Sequence, residues 1–529
     1  MGAAPCGAQD TLSSSVSPLV TLGSSLEDRA RTDQLRGERP TDGYLLRSPS
    51  TLTPRLREGG GGARWALIAP ELSMMWNSAL PYSQNDGRLW AGKGLNTSLL
   101  AGVRAEYGPV FLILAPQVGY MENRAFAELL PEPLQDRFTV AWYNGEYEGY
   151  TADLPLRFGD RALHFVDPGQ STLGVRAKGA TLGVSTENQW WGPGIRNAIV
   201  MSNQAAGIPH LFVRTGPPLR TRLGSFEAKW ILGALGESSF FDTLAANDRR
   251  ALSAMVATFR PAGEPGLTLG IARSVQSPVS GAGATLGHAL DVLTRWPRPD
   301  SAHNGSDQIL SLFGRWVFPA DGLEVYAERA RQEMPAGLGD FLDYPNHTQG
   351  YTLGAQWARP VAEERLLRFQ TEVTYLEQSS TFLHRPVPRY YTGASVPQGY
   401  THRGQVIGAA IGPGASSQWL AADYLASAWQ IGIFGGRIRW DNDAFYTTPR
   451  SRPGPWGGAW QAHDVSVLGG IRAGYDLPMF RIDAELSTGT RMNYLYQNFG
   501  GGWHDADRGV NVRNHTLRLG ITPFRSRTP

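Results

Sequence analysis

From about Arg64 to Phe524 apolar and polar residues take turns along the chain. In Gly266–Ala272, Leu267, Leu269 and Ile271 fall on one side, and Thr268, Gly270 and Ala272 on the other. Leu323, Val325 and Ala327 oppose Glu324, Tyr326 and Glu328, and Leu367, Phe369 and Val373 oppose Arg368, Gln370 and Glu372. Further on, Phe434, Ile438 and Trp440 oppose Arg437, Arg439 and Asp441. Phe480, Ile482, Ala484 and Leu486 oppose Arg481, Asp483, Glu485 and Ser487, and Leu517, Leu519 and Ile521 oppose Arg518, Gly520 and Thr522. A period of two is the signature of β-strands, because successive side chains point to opposite faces. The pattern predicts an all-β chain in which each strand has one oily face and one ionic face.

Before this run the pattern is different. Ser25, Asp28, Gly37 and Pro40 punctuate one short helix, with Ser25 as its cap and Gly37 at its end. Only Leu26 and Leu35 are large and apolar in it, so it reads as a plug element or periplasmic cap and not as a core helix. Residues 1–63 are therefore expected to be a flexible segment carrying that helix, and 64–529 the β domain. The opening residues hold no apolar core of a signal peptide, but Cys6 to Ala8 before Gln9 has the small-x-small pattern of one's end. An apolar stretch upstream is the expectation.

Alternation alone fits a soluble sandwich as well as a transmembrane barrel. Composition leans toward the barrel. Charged residues are 18% of the chain, below the roughly one quarter of soluble domains, and aromatics are 10%. Lysine, common on soluble surfaces, occurs only at Lys93, Lys178 and Lys229. Glycines interrupt strands at Gly270, Gly435 and Gly520, as a curved wall or packed lumen tolerates. The longest apolar run, Val110 to Ala115, is far short of the roughly 20 residues a membrane helix needs. A transmembrane antiparallel β-barrel of roughly 16–20 strands satisfies all of this, its apolar face to lipid and its polar face to the lumen. Arg437, Arg439, Arg472, Arg481 and Arg518 are then expected to pair with lumen carboxylates such as Glu372 and Asp483. Arg450 to Trp460 and Gln497 to Gly509 are candidate extracellular loops.

Several functions find no support. The net charge of +2 and the lack of a basic run give no footprint for nucleic acid. The single cysteine, Cys6, excludes an intramolecular disulfide. His210, His347, His384, His402 and His463 have no metal-ligand spacing, and no phosphate loop or dinucleotide fingerprint is present. Glu324 and Glu328 share a face but lie roughly 13 Å apart along a strand, beyond the glycosidase range. No catalytic residue, metal or cofactor is expected.

The densest motif runs from Gly183 to Thr215 and holds Glu187, Asn188, Trp190, Trp191, Asn197, Asn203 and His210. A second runs from Trp76 to Asn96 with Asn85, Asp86 and Trp90, and further motifs lie at Pro155–Asp160, Asp167–Thr172, Asp307–Glu328 and Gln398–Gly414. In this order they resemble the Wzi family of capsule-assembly proteins, over about Ala66 to Phe524. The resemblance implies an outer-membrane barrel of about eighteen strands with a plugged lumen. It implies lectin-like binding of capsular polysaccharide or exopolysaccharide at the cell surface, without enzymatic turnover. Better-studied members carry an N-terminal periplasmic helical bundle, of which only the helix near Ser25 to Arg36 is legible here.

The partners expected are capsular or exported polysaccharide, outer-membrane lipid and the barrel-assembly machinery, with a monomeric chain and a binding surface on loops facing the exterior. A porin or polysaccharide-export pore is the alternative. Asn85, Asp86, Trp90, Glu187, Asn188, Trp190, Trp191, Asn197, Asn203 and His210 are the carbohydrate-binding candidates, since sugars are held by aromatic faces and polar side-chain networks. The same residues have a structural reading. Adjacent tryptophans on a strand point to opposite faces, so one of the pair could anchor at the membrane interface. Asn85-Asp86-Gly87 is a turn signature, and Glu187, Asn197 and Asn203 could hold an inward-folded loop.

Overall fold

The computed structural model describes residues 16–523 except 42–43, 57–61, 128–151, 242–246, 297–304, 336, 386–387, 394, 448–461 and 499–507. The alternating residues form one antiparallel sheet that closes on itself. Its first half comprises β1 (Arg64–Asn77), β2 (Gly94–Tyr107), β3 (Val110–Leu114 continued by Gln117–Met121), β4 (Leu163–Asp167 continued by Thr172–Ala177), β5 (Ala180–Ser185), β6 (His210–Thr215 continued by Leu219–Arg220), β7 (Gly224–Gly236), β8 (Arg249–Pro261) and β9 (Leu267–Pro278). The second half comprises β10 (Asp307–Phe318), β11 (Leu323–Gln332), β12 (Gln349–Ala362), β13 (Arg365–Tyr375), β14 (Ser416–Leu425), β15 (Trp429–Arg439), β16 (Val465–Asp476), β17 (Phe480–Met492) and β18 (Val512–Pro523). Each strand pairs with the next, and β18 returns to β1 with Leu517 opposite Trp76, so the wall is an 18-stranded closed barrel. Closure leaves no exposed sheet edge.

The seam has one irregularity. A bulge between Ile68 and Glu71 surrounds Pro70, whose missing N–H would break a ladder. Above it β1 pairs with β18; below it Leu67 and Ile68 pair in parallel with Val16 and Ser17.

Connections sort by length. Short turns such as 178–179, 319–322 and 363–364 lie at one end, and long loops such as 78–93, 186–209 and 376–415 at the other. Stacked aromatic pairs face outward near the short-turn end: Phe226 on Phe259, Trp357 on Phe369, Tyr424 on Trp429. Tyr351 on Tyr375 does so near the long-loop end. Between them Leu312, Leu353, Leu420, Ile433 and Ile471 are exposed, the apolar band flanked by aromatic girdles that a membrane-spanning barrel presents. No helix among the described residues is long and apolar enough to cross a membrane.

The lumen is filled. The predicted helix, α1 (Ser25–Leu35), lies across its short-turn end, capped by Ser24, whose hydroxyl accepts from the Glu27 N–H at 3.3 Å, and not by Ser25. Its polar character suits a polar lumen. Arg31 donates to Glu324 on β11, Arg29 reaches Asp476 at 2.7 Å, and Arg368 on β13 meets Asp28 at 2.8 Å. The segment from Val16 to α1 is thus tied to the wall. Loop 186–209 folds inward and packs Trp191, Ile199, Val200 and Met201 into the main core with Leu46, Tyr391 and Tyr400. Loop 376–415 follows it, ending in a small hairpin in which Thr401–His402 pairs with Gln405–Val406.

Strand faces follow the alternation, with one inversion. Arg472, Arg481 and Arg518 point inward and pair with Asp423, Asp483 and Asp86 as the pattern required. On β15, however, Ile438 is buried in the plug core and Phe434 shares its inward face, while Arg437 faces outward and donates to Gln418 at 3.1 Å. Arg439, on the same outward face, binds Glu377 of loop 376–415. The plug makes the lumen partly apolar, and an arginine at the long-loop end of a strand sits at headgroup level, where charge costs little.

On the inner wall several aromatic rings lie across a glycine on the neighbouring strand. Phe313 covers Gly270, Tyr326 covers Gly354, Phe165 covers Gly119 and Phe111 covers Gly174, each pair directly opposite in register.

Candidate functional site

The plug core packs mainly against the inner faces of β7 to β11, and a chamber of about 430 Å³ remains beside the seam, within the range of ligand pockets. α1 brings Glu27, Asp28 and Arg31; loop 78–93 brings Gln84, Asn85 and Asp86; loop 186–209 brings Trp190, Arg196 and Asn203. The wall adds Glu71, Gln370, Trp419, Arg472, Asp483, Glu485 and Arg518.

Asn85, Asp86 and Asn203 are stitched together. Asn85 has a left-handed backbone, φ 62°, as a turn residue of this type tolerates. Its Nδ2 donates to the Arg196 carbonyl at 2.8 Å, and Asn203 Nδ2 donates to the Asn85 carbonyl at 2.9 Å. Asp86 accepts from the Gln84 N–H at 2.8 Å and from Arg518 Nη1 at 2.6 Å, so the predicted turn is also tied to the far end of the chain. Asn85 Oδ1 and Trp190 Nε1 have no partner among the described residues.

Trp190 and Trp191 pair with Arg47 and Leu46 as a two-stranded ribbon inside the lumen. Both are buried, at 3% and 0% exposure, so neither is an interface anchor. The inward turn of loop 186–209 takes them off the wall. Trp190 carries Arg47 over its ring at 4.9 Å, and Trp191 sits in the main core.

The remaining candidates lie outside the chamber. Glu187 accepts from the Ser50 N–H at 2.8 Å and hydroxyl at 2.9 Å, with Lys229 Nζ at 3.4 Å. Burial works against its charge, but the Lys229 ammonium and Ser50 outweigh that and hold its carboxyl below the ordinary range. Asn188 exchanges hydrogen bonds with Gln170, and the Asn197 N–H donates to Glu372 at 2.8 Å. His210 Nδ1 meets the Ile208 carbonyl at 2.6 Å. Trp90 packs edge-on against Phe158 at 4.9 Å. These contacts hold loops in place. Of the two candidate extracellular loops, Arg450 to Trp460 and residues 499–507 lie outside the described residues.

Arg196 and Trp419 are chamber residues that sequence reasoning passed over. The Arg196 guanidinium sits over the Trp419 ring at 5.4 Å and has no carboxylate partner among the described residues, whereas Arg472 on the ring at 5.5 Å also grips Asp423. The parity of β14, which turns Trp419 inward beside Ala421 and Asp423, is the signal that could have found it. Asn85, Trp190 and Arg196 line one polar space together with Gln84, Asp86 and Asn203, a set of side chains that can hold hydroxyl groups of a small ligand. Among the described residues no group of three or more His, Cys, Asp or Glu is arranged to hold a metal ion.

Fold and chamber together define a plugged, membrane-spanning type of β-barrel with a polar lumen site. The chain belongs to the family of the capsule assembly protein Wzi, whose sequence model matches residues 81–426. Among solved structures it is similar to Wzi of Escherichia coli, described as an outer membrane protein involved in group 1 capsule assembly and a carbohydrate-binding β-barrel. The TM-score is 0.54 at 10% identity, covering 86% of this chain and 85% of that one. At that identity the likeness is one of fold. Pseudomonas aeruginosa OccK2 (OpdF) fits more loosely, with TM-score 0.38 and 10% identity over 87% of this chain and 96% of its own. No curated protein sequence matches the chain significantly.

Proposed function

We propose that this chain is a bacterial outer-membrane lectin that attaches capsular or exported polysaccharide to the cell surface and does not turn it over. The observation that carries the reading is the filled lumen. A helix and two long loops are locked to the wall through buried ions such as Arg31 with Glu324, which suits a holder better than a diffusion pore. Membership of the capsule-assembly family and the fold shared with a carbohydrate-binding barrel support it. The long loops face the exterior and the short turns the periplasm, as is general for such barrels. The protein acts as a monomer delivered by the barrel-assembly machinery.

Within this reading Asn85, Trp190 and Arg196 contact a short saccharide segment in the chamber, while Asp86 and Asn203 position Asn85. Glu187, Asn188, Trp191, Asn197 and His210 form the scaffold. The test is the fraction of surface polysaccharide that stays with washed cells. Deleting the gene is expected to move polymer from the cell-bound to the released fraction, and Arg196→Ala to reproduce part of that shift at normal barrel abundance. Unchanged retention in the deletion strain overturns the function; unchanged retention in Arg196→Ala alone overturns the chamber's role.

A further inference from the structure

The loop after β9 folds down the outside of the wall. Its helical turns, Ala282–Thr285, Leu286–His288 and Asp291–Thr294, pack over the outward residues of β7, β8 and β9. Those outward residues change character along the strand. Leu269 and Ile271 on β9 are apolar and exposed, but Arg273 and Ser277, further toward the long-loop end of the same row, are polar. On β8 the outward Ser253 is polar too.

The flap satisfies these groups one by one. Arg273 Nη1 donates to the Val292 carbonyl at 2.6 Å and its Nη2 to the Arg295 carbonyl, with Trp296 stacked on the guanidinium at 4.0 Å. Ser253 Oγ and Trp230 Nε1 both donate to the Ala289 carbonyl, at 2.9 and 3.0 Å. Ser277 Oγ donates to Asp291 at 3.2 Å. With its polar atoms spent on the wall, the flap turns Leu286, Leu290, Leu293 and Trp296 outward at 62%, 59%, 49% and 51% exposure.

The next connection repeats the arrangement. The helix Leu338–Asp343 lies beside β11, whose outward Arg329 and Arg331 donate to the carbonyls of Pro345 and Tyr344 at 2.5 and 3.3 Å. Leu338 and Leu342 are left exposed.

We propose that these two adjacent flaps are a lipid-embedded skirt, seated among the acyl chains of the outer leaflet. Continuity names the occupant. The exposed leucines extend the lipid-facing band of Leu269, Ile271 and Leu312 on the same sector, and Trp296 stands toward the end where Tyr351 and Tyr375 form the girdle. In water the flaps would expose their leucines while the first of them hides Arg273, Ser253 and Ser277. In lipid the same arrangement shields polar wall atoms from hydrocarbon. The skirt makes one side of the barrel broader in the membrane than the other.

Site-directed spin labelling tests this in a Cys6→Ser background, which removes the sole cysteine. A nitroxide is placed at Leu290→Cys or, separately, at Leu293→Cys in barrels reconstituted into phosphatidylcholine–phosphatidylglycerol vesicles. Leu312→Cys on the outer wall serves as the lipid reference and Lys178→Cys in a short turn as the aqueous one. The expected result is collision with oxygen and exclusion of a water-soluble nickel chelate, as at Leu312. Nickel access like that of Lys178 overturns the proposal. A label shielded from both reagents also overturns it, because the face would then be covered by protein, such as a second copy. Two label sites keep the test decisive where one variant fails to give a folded, heat-modifiable barrel.

Discussion

Single residues where plug meets wall carry large electrostatic stakes. Glu324 lies between Arg31 and Arg315, both buried with it. Glu324→Ala leaves two guanidiniums facing each other without their carboxylate, and the expected loss is about 3–5 kcal/mol. Glu324→Gln, which keeps shape and part of the hydrogen bonding, should lose less. Denaturant unfolding of the detergent-refolded barrel, followed by tryptophan fluorescence, measures both.

His402 gives a pH-dependent counterpart. Its Nδ1 accepts the Gly236 N–H at 3.1 Å, so the ring is held neutral. Burial, with Arg403, Arg250 and Arg88 around it, pushes its pKa well below the ordinary value. The unfolded chain then takes up a proton that the folded one refuses. Stability should be level above the ordinary histidine value of about 6.5 and fall as pH drops below it. His402→Gln should flatten that part of the profile. An unchanged acid limb in the variant would assign the loss to other groups.

At the scale of elements, α1 is the piece that closes the short-turn end. Replacing residues 25–36 with a glycine–serine linker should turn a silent barrel into one with steady current in planar bilayers; continued silence would mean the inward loops alone suffice to seal it. The existence of α1 was legible in the sequence because its punctuation is local, but the punctuation left open whether it plugs the lumen or caps it from the periplasm. Wall faces were legible for the same reason: parity at Leu367–Val373 or Phe480–Ser487 needs no knowledge of the rest. The exception, β15, shows the limit. Parity separates two faces but does not say which is inward, and Ile438 goes inward because the plug offers it a core. The chamber was only half legible. Asn85, Asp86, Trp190 and Asn203 stood out as dense motifs, but Asp86 meets Arg518 across nearly the whole chain, a contact no local pattern encodes. Arg196 was inside the motif and was passed over because its role depends on Trp419, contributed by a distant strand.

At the scale of the molecule, the closed wall and its filled interior act together. The intact protein is expected to need detergent for solubility, to migrate faster on a gel unheated than boiled, and to show no steady conductance. Open-channel current from the intact chain would favour the pore alternative over the holder.

The rings laid across glycines bear on how such a sequence drifts. Each pair shares a space that fits one hydrogen and one ring, so a methyl group at position 270 has nowhere to go while Phe313 remains. Tolerated replacements should therefore come in twos: a larger residue at 270, 354 or 174 arriving together with a smaller one at 313, 326 or 111. In an aligned set of relatives these positions would trade bulk across the strand boundary and report its register without any coordinates.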